Sequence, residues 1–179
     1  SQRALELTAL AQLAQEQNDI ALATSQQLVR ANPASAQSHY LLAMAASASG
    51  DQQEARRALL DTVKRDSNHV PALIYLARIA RSEGEEAQFK QYLATLVELA
   101  PDATEVQRLR ALSAHVDGNS TEALLLSQRV LLAAPTTQSV IELATYQAAA
   151  GDSAAARNTL LQWIEDYPKD IAVRLVLAS

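Results

Sequence analysis

Cysteine is absent, so neither a disulfide nor a thiolate metal site can form, and the redox state of the compartment is left open. Aromatic residues are nearly as scarce, with one Phe, one Trp and five Tyr. The apolar share is mostly Ala and Leu, which head the helix scale, so helix is favoured over sheet. No apolar run approaches the roughly 20 residues that span a bilayer. Positive charge is in deficit, 15 Lys and Arg against 20 Asp and Glu, which gives no global field to draw a polyanion and argues against nucleic acid as the main partner. There is no initiating Met and no signal peptide at Ser1. The chain starts in mid-pattern, as a piece of a longer protein would, so the missing leader carries no information on location. What is present is 179 residues, 49% hydrophobic and 20% charged, enough to bury a substantial core.

Glycine and proline are also few, and their positions carry the information. Gly50, Gly84, Gly118 and Gly151 follow one another at steps of 34, 34 and 33. Pro33, Pro101, Pro135 and Pro168 keep the same time, with Ser67 standing where one more would fall. The phrases ASASGDQQEARRALLD (Ala46–Asp61) and QAAAGDSAAARNTLLQ (Gln147–Gln162) repeat around two of these glycines. Each period holds two helices of three to four turns. A left-handed Gly can end the first, and Asp51, Asn119 or Asp152 directly after it can cap the second. Pro ends the second helix because it lacks an N–H and pushes its predecessor out of the helical region. Ser35, Asp102, Thr136 or Asp170 can start the next. The spacing predicts first helices near 3–16, 36–48, 70–82, 103–116, 137–149 and 170–178, and second helices near 19–31, 52–65, 85–99, 119–133 and 152–166. The step of 33 predicts a first helix or a turn shortened by one residue.

Small residues recur where paired helices approach closely: Ala21, Ala55, Ala123 and Ala156, with Phe89 in the same column, and Ala43, Ala77 and Ala111 with Thr145 as the last member. Leu59 and Leu93 supply bulk one turn later. A single pair cannot cover this apolar surface, so pairs must stack. Period, Gly, Ala and Pro at these places resemble the tetratricopeptide repeat (TPR) over essentially the whole chain. The sequence departs from that pattern at the early aromatic position, here His39, Leu73, Gln107 and Ile141, and at the Tyr position, here Ala46, Ala80, Ala114 and Ala148. The resemblance implies an all-α TPR-type solenoid over 1–179, a right-handed superhelix of five antiparallel pairs plus a trailing helix. Its repeats fall at about 2–35, 36–69, 70–103, 104–137 and 138–170, with a partial one at 171–179.

No constellation for catalysis stands out. His39, His69 and His115 fall in three repeats without an i, i+4 partner, and no Ser sits in a Gly-x-Ser-x-Gly elbow. Gly84 is followed by Glu85 and Glu86, which would repel phosphate. Catalytic, metal and cofactor sites are therefore not expected, and the clusters Arg56/Arg57 and Glu83/Glu85/Glu86 read as solvated helix faces. In TPR arrays the first helices line a concave groove. By that analogy the groove positions are Gln37, Tyr40, Met44 and Ser47; Pro71, Ile74, Arg78 and Arg81; Glu105, Arg108, Leu112 and His115; and Ser139, Glu142, Tyr146 and Ala149. The candidate partner-binding residues are Tyr40, Met44, Arg78, Arg81, Arg108, His115, Glu142 and Tyr146. Arginines offer a planar fork to carboxylates and tyrosines an amphipathic contact, which would suit an acidic segment of a protein or peptide. The competing reading is that these arginines pair with neighbours such as Glu105 and Glu142. The Lys/Asn clamp of chaperone-binding TPR modules is not matched, since Arg78 and Leu112 stand where Asn would be expected.

Two stretches, Leu96–Leu131 and Leu160–Ala178, with the run Trp163, Tyr167-Pro168, Asp170, Arg174 and Leu177-Ala178, resemble the Ala/Leu-rich TPR lipoproteins of the bacterial exosortase (PEP-CTERM) and exopolysaccharide systems. That resemblance implies a non-catalytic scaffold in the bacterial periplasm, or held at the outer membrane in the parent protein. A regulatory or substrate-presenting segment of an enzyme whose catalytic domain lies elsewhere is the alternative. Trp163 is expected in the core between the last pair and the trailing helix. Ile171, Val173, Leu175, Val176 and Leu177 are expected to leave an apolar face that supports weak end-to-end self-association through Ile171–Ala178.

Overall fold

The structure is a computed structural model that describes residues 1–178. Among the described residues there are eleven α-helices and no strand. They form two compact units. The first, Ser1–Leu99, holds α1 (Gln2–Ala14), α2 (Asn18–Ala31), α3 (Ala36–Ala48), α4 (Gln52–Arg65), α5 (Val70–Ser82) and α6 (Glu86–Leu99). The second, from Ala100 onward, holds α7 (Thr104–Val116), α8 (Ser120–Ala133), α9 (Thr137–Ala149), α10 (Ser153–Asp166) and α11 (Ile171–Ala178). Within each unit every helix packs on its successor.

The helix ends follow from local chemistry. Gly50 has φ +86°, its N–H donates to Ser47 O, and the next N–H, of Asp51, reaches Ala46 O at 2.9 Å. This is the Schellman closure, in which a left-handed residue satisfies the last carbonyls of a helix. A Cβ at Gly50 would meet nothing within 4 Å, so the position needs glycine for its backbone angle alone. Asp51, Asn119 and Asp152 then cap α4, α8 and α10 through the backbone N–H groups of Glu54, Glu122 and Ala155. The first pair lacks a glycine. Glu16, 34 residues before Gly50, takes φ +57° and closes α1 with the same two bonds, Glu16 N–H to Leu13 O and Gln17 N–H to Gln12 O.

Ser35 and Thr136 cap α3 and α9 as expected. Asp102 does not cap α7, because the helix begins at Thr104 and its N-cap is Ala103. His69 caps α5, its Nδ1 accepting the Ala72 N–H at 3.2 Å. Of the clusters expected as solvated faces, Arg57 is solvated and pairs with Glu54 on its own helix, but Arg56 of α4 donates to Glu85 at 2.6 Å and to Glu83, clamping α4 to the turn between α5 and α6.

The step of 33 is resolved in the turn before α9. The other turns between repeats have four residues and an internal bond, such as His69 N–H to Asp66 O. The turn at 134–136 has three, and Ser139 takes over, its hydroxyl donating to Ala134 O at 2.9 Å while it also completes a capping box with Thr136. The helix itself keeps 13 residues, like α3, α5 and α7. The missing residue therefore precedes α9, and α9 is in step with Gly151. The close-approach position is Ala144, 4% exposed, and not Thr145, which is exposed. Likewise Val140 and Gln147, rather than Ile141 and Ala148, occupy the columns that His39, Leu73 and Gln107 and that Ala46, Ala80 and Ala114 hold in the other repeats.

The core of the first unit includes Leu42, Ala43, Ala58, Leu59, Ala72 and Leu76. That of the second includes Val140, Ala144, Ala156, Leu160, Trp163 and Val173, so Trp163 does lie between the last pair and α11. Asp170 locks that end. Its Oδ2 accepts from Thr137 Oγ1 at 2.6 Å and Trp163 Nε1 at 2.8 Å, and its Oδ1 accepts from the Val173 N–H at 3.2 Å. On α11, Val173 is buried, while Ile171 and Leu175 are exposed.

Candidate partner-binding faces on the first helices

Each unit presents one face of its first helices. In the first unit Tyr40 and Met44 of α3 are half-buried, as are Ile74 and Arg81 of α5, and Arg78 is exposed. The Tyr40 ring meets His69 with centroids 4.7 Å apart. Burial, with Tyr75 adding to it, raises the Tyr40 hydroxyl above its ordinary range, so it stays a neutral donor and acceptor at neutral pH. Arg81 reaches Glu86 at 3.2 Å. Arg78 enters no ion pair among the described residues and so offers an uncommitted guanidinium.

The corresponding face of the second unit is closed by its own charges. Arg108 of α7 lies 2.5 Å from Glu105, one turn back, and its Nε lies 3.1 Å from Glu142 Oε2 on α9. The Nε contact is an ion pair out of line for a hydrogen bond. The Arg108 side chain is 14% exposed. His115 packs its ring on Tyr146 with centroids 4.7 Å apart. Burial, then Glu142, raises the Tyr146 hydroxyl, with Arg108 acting against the shift.

Two residues placed on the open face by sequence are inside. Ser139 is fully buried in the capping box, and Tyr146 is 6% exposed in a cluster with Ala111, Ala114, Ala123 and Leu126. Both errors come from the one-residue register of α9. With α9 in step with Gly151, the positions equivalent to Gln37, Tyr40, Met44 and Ser47 are Gln138, Ile141, Thr145 and Ala148, and none of them is buried. That face is thus short of charge and aromatic rings. The three histidines are each used structurally: His39 Nε2 lies 3.0 Å from Pro33 O, His69 is a cap, and His115 lies against Tyr146. Among the described residues no group of His, Cys, Asp and Glu could hold a metal ion, and no helix is long and apolar enough to cross a membrane.

A tetratricopeptide repeat family model matches residues 7–71 and 40–89. No curated protein matches the chain in sequence. Among solved structures it is similar to TTC0263, a thermophilic TPR protein of Thermus thermophilus, at 20% identity over 99% of this chain and 97% of that one, with TM-score 0.71. It is also similar to MamA, from residue 41 to the end, of Desulfovibrio magneticus RS-1, at 16% identity over 94% and 97% of the two chains, TM-score 0.75. A third is YrrB, a TPR protein with an unusual peptide-binding site, at 15% identity over 98% and 91%, TM-score 0.72. At these identities the likeness shows the fold. Matched sequence in the first half and helix-pair geometry in both units together support a tetratricopeptide repeat protein. Such proteins are generally non-catalytic scaffolds for protein–protein interaction.

Proposed function

We propose that this chain is a non-catalytic scaffold that holds a partner segment against the first-helix face of the unit Ser1–Leu99, with Arg78 taking an acidic side chain. The observation that carries the reading is the exposed Arg78, unpaired among the described residues, on a face that also presents Tyr40, Met44 and Arg81. An exposed guanidinium on the same face as a half-buried tyrosine suits a carboxylate flanked by apolar residues. The similar YrrB structure has a peptide-binding site, which supports a peptide segment as ligand. Arg108, held by Glu105 and Glu142, is a structural residue in this reading. The test is a random-peptide display selection on the immobilised chain. Acidic peptides should be enriched, should bind more weakly as salt rises, and should be lost with Arg78→Ala. Acidic peptides that bind Arg78→Ala as well as the parent would overturn it.

The Ala/Leu-rich texture of Leu96–Leu131 and Leu160–Ala178 supports placing the scaffold in a bacterial envelope system for exopolysaccharide assembly or exosortase-linked sorting, on the periplasmic side. Cell fractionation with an antibody to the chain tests this, and recovery in the cytoplasm would contradict it. Exposed Ile171 and Leu175 on α11 support weak end-to-end self-association. Sedimentation at rising concentration should show it, and a strictly monomeric chain would dismiss it.

A further inference from the structure

Two joints between repeats are built from matching positions and end differently. Pro33 follows α2 as Pro135 follows α8, one residue beyond the C-cap. At the first joint Arg65, the last residue of α4, reaches back and its Nε donates to Pro33 O at 2.7 Å. The same side chain is braced on Asp61, through the carbonyl at 2.7 Å and the carboxylate at 2.8 Å. The joint is filled. At the second, the last residue of α10 is Asp166, which has no proton to give a carbonyl, and the turn is one residue shorter.

The second joint is an open recess of about 830 Å³ between Pro135, Trp163, Tyr167 and Ile171. It runs on into a depression of about 360 Å³ that shares Pro135, Trp163, Asp166 and Tyr167 and ends at Leu132. Leu132 is 84% exposed and Ile171 72%, so both ends of the strip are apolar and open. In the middle the Tyr167 ring stacks on Trp163 at 4.1 Å and 26°, and the residue remains 46% exposed. Asp166 is exposed and forms no ion pair among the described residues. Asp170 receives only neutral donors, so its charge is not cancelled. Among the described residues Lys169 is the one cation in the lining, and Arg174 donates to Pro168 O beside it. The strip is therefore apolar at both ends, with the uncancelled carboxylates of Asp166 and Asp170 beside an aromatic ring.

We propose that this recess is a second peptide-docking site, separate from the Arg78 face, for a segment that carries Lys or Arg between apolar residues. The cation would lie against the exposed Tyr167 ring and near Asp166, where ring quadrupole and carboxylate attract it together. The apolar neighbours would cover Leu132 and Ile171. An acidic segment is refused by the same two carboxylates.

The same peptide-display selection also tests this site, because its ligands have the opposite charge to those of the Arg78 face. Basic–apolar peptides should be enriched by the parent chain and lost with Asp166→Lys. The best of them should bind about fivefold more weakly to Asp166→Asn, on the scale of one exposed charge pair, and more weakly to Tyr167→Leu, and should bind Arg78→Ala as before. Trp163, the single tryptophan, should shift its emission as these peptides bind. The emission spectrum and thermal melt of free Asp166→Asn should match the parent, which separates lost binding from lost fold. No enrichment of Lys or Arg, or basic peptides indifferent to Asp166→Asn, would overturn the proposal.

Discussion

Arg78 and Arg108 both stand at positions where first helices of this fold are uncovered, yet one is exposed and unpaired among the described residues and the other is 14% exposed between two glutamates. The difference is made by carboxylates. Glu105 precedes Arg108 by one helical turn and Glu142 faces it from α9, whereas α5 puts no acid within one turn of Arg78. Counting basic residues on a face therefore overstates its available charge. The second unit spends its arginine on holding α7 to α9, and the first unit leaves one free.

If that division is right, disturbing the second unit's face should cost stability and disturbing the first unit's should cost binding. The largest effect is expected from Tyr146→Ala, which empties a buried ring site and should lower the unfolding free energy by about 3 kcal/mol; chemical denaturation reads this directly. Arg108→Ala comes next. It leaves Glu105 and Glu142 without their shared cation and should cost about 2 kcal/mol, against less than about 0.5 kcal/mol for Arg78→Ala. Equal costs for the two arginines would erase the comparison.

Glu16→Gly sharpens it from the other side. It relieves a left-handed glutamate in the first unit and should stabilise by about 1 kcal/mol without changing peptide binding. The smallest effect concerns acid. Thr137, then Trp163, holds the Asp170 carboxyl below the usual carboxylate range. A group whose folded pKa is depressed contributes stability above its unfolded pKa and loses it as pH falls through the folded value. Stability of the second unit should thus decline below about pH 4, visible in Trp163 emission, and Asp170→Asn should flatten that part of the profile.

Most helix limits were legible because Gly, Asp, Asn and Pro act on their own few residues. The register of α9 was not. A step of 33 says that a residue is missing and not where, and the choice rests on Ser139 replacing the lost turn bond. Counting back from Gly151 would have put Ala144 and Val140 in their columns and removed Ser139 and Tyr146 from the open face. Glu16 is legible in the same way, because it lies one period of 34 residues before Gly50, the first glycine. Asp102 looked like a cap because Asp is a good one, but the four-residue turn places Ala103 there. What no periodicity could supply is the distance from Arg108 to Glu142, since it depends on how α7 and α9 approach through the core.

The most direct test is the affinity of one selected acidic peptide for the parent chain, Arg78→Ala and Arg108→Ala, with the unfolding free energy of each measured alongside. The account predicts that Arg78→Ala weakens the peptide about fivefold or more at unchanged stability, and that Arg108→Ala binds it like the parent while unfolding more easily. Peptide binding lost with Arg108→Ala and kept with Arg78→Ala would contradict it.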